Sequence, residues 1–163
     1  MKKYIASLLS ALVLMAGFSL PAQAASDEEM LKEVYTLLVE NRGEAAKIAA
    51  SMGIASSKVL PQPGLQAEVN NVLMVRNQHL FKQIAAKLGT EVITPTPYMG
   101  TIIEQNHEIL RGNRMVMKSI LLSLGLDTSS ALPMKGSLVE QNRDLLLGNK
   151  AALKAISDKL GLK

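Results

Sequence analysis

A fixed interval of 36 residues runs through this chain and limits what it can fold into. It links Asn41, Asn77, Asn113 and Asn149, then Ile48, Ile84, Ile120 and Ile156, then Gly53, Gly89, Gly125 and Gly161. Pro61, Pro97 and Pro133 keep the same step. Four copies of one unit, approximately 26–61, 62–97, 98–133 and 134–163, therefore make up a single repeat domain over 25–163. The last two copies align without gaps: 100–127 matches 136–163 at 12 of 28 positions.

Within each unit the apolar spacing is helical. In the third, Ile103, Asn106, Leu110, Asn113, Met117, Ile120 and Leu124 alternate by three and four, which forms a heptad seam. Of the 28 seam positions in the four units, 21 are apolar and seven are asparagine: Asn41, Asn70, Asn77, Asn106, Asn113, Asn142 and Asn149. A second apolar column beside the seam (Ile102, Ile109, Val116) widens the stripe to that of a bundle helix. Thr101 with Glu104, Ser137 with Glu140, and Ser26 with Glu29 have the spacing of capping boxes. The four periodic glycines sit where a left-handed helix terminator belongs.

The fold expected is all-α: four tandem helical units closing as an up-and-down four-helix bundle with a heptad-type core. The alternative breaks each unit at Gly112 and Gly148 into a hairpin, giving eight short helices in an α-solenoid. The seam keeps its phase across both glycines, which favours the bundle. Long Gly-to-Gly linkers (53–64, 89–100 and 125–136) leave a parallel arrangement open, because an extended linker of this size almost spans a helix.

The front of the chain reads as an export signal. Lys2 and Lys3 precede an apolar run from Ile5 to Leu20, and Ala22-Gln23-Ala24 supplies a small-x-small cleavage site. Residues 1–24 are thus expected to be removed near Ala24, leaving a periplasmic or secreted chain with no stable membrane insertion. Without Lys2 and Lys3 there are 16 basic and 14 acidic residues, a formal charge of +2. With Tyr35, Phe81 and Tyr98 as the only aromatics after residue 24, nucleic acid is a poor partner.

No chemistry stands out. There is no cysteine, and His79 and His107 belong to neither an HExxH pair nor an acidic cluster. Glu104 is better used as a cap partner than as a general base, and no phosphate loop or nucleophile elbow occurs. The expectation is therefore a non-enzyme with no catalytic, metal or cofactor-binding residues. The seven asparagines are read as a polar core layer that fixes helix register, with lining of a ligand cavity as the competing role. Linker residues differ most between units, so Pro95, Pro97, Tyr98 and Met99, with Met134, form the candidate partner contact.

The functional expectation is an exported envelope protein acting through protein–protein contacts, as an adaptor or accessory component. Alternatives are a periplasmic small-ligand or metal carrier and a holdase with exposed apolar faces. The partner is unidentified, and a homo-oligomer is compatible with the same surfaces.

Overall fold

The three-and-four spacing winds into four helices: α1 (Lys2–Ser51), α2 (Gln66–Lys87), α3 (Ile102–Ser123) and α4 (Leu138–Lys159). These come from a computed structural model, which describes residues 2–58, 63–95, 99–128 and 135–162, with side chains from Ser26 onward. Among the described residues there is no strand. The architecture is the all-α four-helix bundle expected. Helices α3 and α4 pass unbroken through Gly112 and Gly148, so the eight-helix solenoid is not formed.

The helix ends follow local chemistry. Thr101 and Ser137 each accept from the amide three residues on, while Glu104 and Glu140 accept from the cap amides at 2.8 and 2.6 Å. Each helix closes with the same 6→1 backbone bond: Ile54 to Ala49, Thr90 to Ala85, Leu126 to Leu121 and Leu162 to Ser157, all 2.8–2.9 Å. That closure places Gly53, Gly89, Gly125 and Gly161 at φ of 68–75°, where a Cβ would be strained. The third expected capping box does not form in the full-length chain. Ser26 lies inside α1, because the alanine-rich stretch before it continues the helix.

All four helices run in the same direction, which corrects the up-and-down topology expected. Asn70 Nδ2 donates to the main-chain oxygen of Leu31 (2.9 Å), Asn77 to Leu38 (3.1 Å), Asn106 to Ala67 (3.0 Å) and Asn113 to Met74 (3.4 Å). Each pair is separated by 39 residues. A constant difference in number means neighbouring helices rise together; antiparallel neighbours would keep a constant sum. The ring closes when Asn41 Nδ2 reaches the Leu146 oxygen at 3.1 Å. Each helix packs on two neighbours, α1 on α2 and α4, and α3 on α2 and α4.

The linkers make this possible. Fourteen residues separate consecutive helices, as from Ser51 to Gln66. At about 3.3 Å per extended residue, they return comfortably along a 22-residue helix of about 33 Å. Apolar residues fill two levels of the core. Leu38, Met74, Leu110 and Leu146 pack in the N-terminal half, and Ile48, Ile84, Ile120 and Ile156 in the C-terminal half. Like levels meet because the helices are parallel.

Candidate functional site

Between the two apolar levels lies a waist of four asparagines, Asn41, Asn77, Asn113 and Asn149, each only 1% exposed. Asparagine can sit there because its Nδ2 reaches sideways to a helix carbonyl of the neighbour, three residues before that neighbour's own asparagine. Asn41, Asn77 and Asn113 all make this bond. Their Oδ1 atoms accept nothing from the protein, and neither amide atom of Asn149 has a partner. The waist thus buries four amide oxygens without donors, each at a cost in stability.

A second polar layer lies one heptad nearer the helix starts, made by Asn70, Asn106 and Asn142, with apolar Val34 in the fourth place. Its oxygens are satisfied. Gln66 Nε2 donates to Asn70 Oδ1 (3.0 Å), and Asn71 Nδ2 donates to Asn106 Oδ1 (2.8 Å). His107 Nδ1 stands 2.9 Å from Asn142 Oδ1, so that nitrogen carries the proton when the amide oxygen faces it. All seven asparagines assigned to the polar core from the sequence are therefore buried, in two layers of different chemistry. Asn71 and His107 escaped sequence reasoning as the supporting donors. Their separation of 36 residues was the available signal.

Arg42, at 7% exposure, and Ser157, at 3%, are further buried polar residues that sequence reasoning missed. Arg42 Nη1 donates to the Arg76 main-chain oxygen (2.8 Å), and Nη2 lies 3.3 Å from both the carbonyl and the hydroxyl of Ser57. It pins the first linker onto the bundle. Burial, and then the charge of Arg76, push its pKa down from the ordinary arginine value. His79 is exposed and pairs with Gln83. Among the described residues, no three His, Asp or Glu side chains gather where they would hold a metal ion.

The linker site is only partly described. Pro95 and Met99 are exposed, Met99 at 92%, while Pro97, Tyr98 and Met134 lie outside the described residues. Ile93 (86%) and Leu65 (72%) join them as large exposed apolar side chains. Leu65 directly precedes α2 and Met99 lies three residues before α3, and the parallel arrangement puts both helix starts at one end of the bundle. Among the described residues, no helix is long and apolar enough to cross a membrane. Comparison with known protein families, with curated proteins and with solved structures finds no match to this chain.

Proposed function

We propose that this chain is an exported helical repeat protein that works by protein–protein contact, as an adaptor or accessory component of an envelope assembly. The observation that carries this reading is the set of large apolar side chains left in water on the linkers. Met99, Ile93 and Leu65 are the most exposed large apolar side chains among the described residues, ahead of Leu122, Val75, Met115 and Leu147 on the helices. They are also specific to their units. Ser57 stands at the position of Ile93 in the first unit, Lys135 at that of Met99 in the fourth, and Thr101 and Ser137 at that of Leu65. Apolar side chains exposed on connecting segments, held by a rigid scaffold, suit a partner contact.

The test is native mass spectrometry of the protein taken gently from the envelope fraction, for the wild type and for Ile93→Lys with Met99→Lys. A bound protein lost from the double variant, with helicity unchanged, supports the reading. A bound protein retained by the double variant, or none in the wild type, sinks it. The same sample tests export, since a first residue near Ala25 is expected after cleavage.

A second reading, a small-ligand carrier, is favoured by the unpartnered oxygens of the asparagine waist. A ligand carrying hydrogen-bond donors would suit them. It would appear as an added small mass that Asn113→Leu removes.

A further inference from the structure

A ring of four helices has four outer grooves, and this chain has three linkers to lay along them. Linker 1 lies over the α1/α2 groove, where Arg42 on α1 holds both Ser57 of the linker and the Arg76 oxygen of α2. Linker 2 lies over the α2/α3 groove. Its Thr94 sits so close to Gly112 of α3 that an added Cβ would stand 3.3 Å from it, and Gln78 of α2 crosses beneath to the Ile109 oxygen at 3.4 Å. The linkers start with the same turn, and the apolar anchor of linker 2, Val92, lies two residues past Thr90, the equivalent of Ile54 and Leu126. Ile54, Val92 and Leu126 pack against the C-terminal half of the core as the chain turns back.

The groove between α4 and α1 has the same entrance and, among the described residues, no linker over it. Leu162 makes the same turn, its amide 2.9 Å from the Ser157 oxygen, and packs on the same part of the core. Beyond it runs an open trough of about 590 Å³, lined among others by Gly43, Glu44, Lys47, Lys150 and Leu162. No side chain obstructs Gly43 within 4 Å of where a Cβ would lie.

The walls differ from those of the filled grooves in a consistent way. At the 36-residue counterpart of Arg42 and Gln78 stands Lys150, and at the counterpart of Gly112 stands Glu40. Lys150 Nζ pairs with Glu40 across the groove at 2.8 Å, and both are about half exposed, so water screens the pair and it opens easily. Deeper in, Ser157 donates to Glu44, where the corresponding positions of the α1/α2 groove are Ala49 and Leu80. Each wall carries both signs, Glu40, Glu44 and Lys47 on α1 and Lys150, Lys154 and Asp158 on α4, so donors and acceptors for an extended backbone stand on both sides. Lining charges of the two signs are equal in number, so a segment of low net charge fits best.

We propose that the α4/α1 groove receives an extended, proline-bearing segment of a partner protein, rich in serine and threonine, seated there as residues 54–58 and 90–95 are seated in theirs. The chemistry of the guest is that of the resident linkers, Ile54-Ala-Ser-Ser-Lys-Val-Leu-Pro-Gln-Pro63 and Thr90-Glu-Val-Ile-Thr-Pro-Thr-Pro-Tyr-Met99. Lys150 takes the guest carbonyl that corresponds to Ser57 O, the atom held by Arg42 in linker 1. This surface is distinct from the exposed linker residues of the proposed function and stands without that reading.

The decisive experiment tethers the guest. The full chain is extended after Lys163 by Ser-Ser-Lys-Val-Leu-Pro-Gln-Pro, the sequence of 56–63, which continues the 36-residue register into the open groove at high effective concentration. An equally long Gly/Ser extension is the control. A thermal midpoint about 3 °C above the control is expected, with Lys150 protected from an amine-acylating reagent. Lys150→Met abolishes the gain, and Glu40→Gln enlarges it by releasing Lys150. An extension that behaves like the Gly/Ser control overturns the proposal, and so does a gain that survives Lys150→Met.

Discussion

Asn77 reaches across from α2 to the main-chain oxygen of Leu38, 39 residues back and three residues before Asn41 on α1. That oxygen lies within α1, where the helix's own ladder already uses it, so the asparagine adds a second bond to an occupied acceptor. Removing the amide therefore leaves no main-chain group without a partner. Leucine, of similar volume, should stabilise at this waist, and most of all where the amide makes no bond. Asn149→Leu is expected to gain about 1–2 kcal/mol in urea denaturation, and Asn77→Leu less. Loss of stability in Asn149→Leu would mean that the amide is satisfied in solution.

Two helix-interior glycines should respond oppositely to the same change. Gly43→Ala meets nothing within 4 Å and is expected to gain about 0.5–1 kcal/mol from helix propensity. At Gly112 a Cβ would lie 2.8 Å from Gln78 Nε2 and 3.3 Å from Thr94 Cβ. Gln78 can swing aside, but linker 2 must lift, so Gly112→Ala is expected to show no gain. Thermal midpoints of the two variants, measured side by side, decide it.

Arg42→Met removes two hydrogen bonds to Ser57 of linker 1 and one to the Arg76 oxygen of α2, and leaves the helices intact. A loss of about 1–3 kcal/mol is expected. The sharper readout is local: Lys58 is exposed in that linker, so trypsin should cut after it faster in the variant. Cleavage after Arg111, which sits within α3, should be unaffected.

Acid should weaken the α4/α1 contact first. Hydrogen bonding from Ser157, then from Lys47, holds the Glu44 carboxyl below its ordinary value. A folded-state value lowered in this way contributes stability that is fully present above the unfolded value of about 4.3 and fades as pH falls through the lowered one. The stability difference between wild type and Ser157→Ala is therefore expected to be flat above about pH 5 and to shrink below it, with a plateau of no more than about 1 kcal/mol. Denaturation curves at several pH values measure it, and a difference that grows on acidification would contradict it.

The helices, their caps and the burial of all seven asparagines were legible because periodicity carries them. Thr101, Ser137 and the terminal glycines also act locally. Helix direction was misread from the waist alone. Asn113 lies near mid-helix, and a mid-helix layer meets its counterparts whichever way the neighbours run. The informative residues were the off-centre ones. In an antiparallel bundle Asn106 would face the level of Ile84, amide against hydrocarbon, whereas parallel neighbours let Asn70, Asn106 and Asn142 share one level. The sequence contained that constraint, and the preference for short connections obscured it. The buried Arg42 was not legible, since its partners, Ser57 and the Arg76 carbonyl, come together only once linker 1 folds back.

Parallel packing also gives the molecule an electrical axis. Peptide dipoles along a helix amount to about half a positive charge at its start and half a negative charge at its end. In an alternating bundle these cancel between neighbours. Here α2, α3 and α4 all begin at one end, so the fields add along the bundle axis, and the side chains oppose them: Glu68, Glu104 and Glu140 stand in the first turns, Lys87 and Lys159 in the last. A charged neighbour approaching this protein therefore meets a molecule whose backbone has a direction, with carboxylates gathered at the end where that backbone is positive.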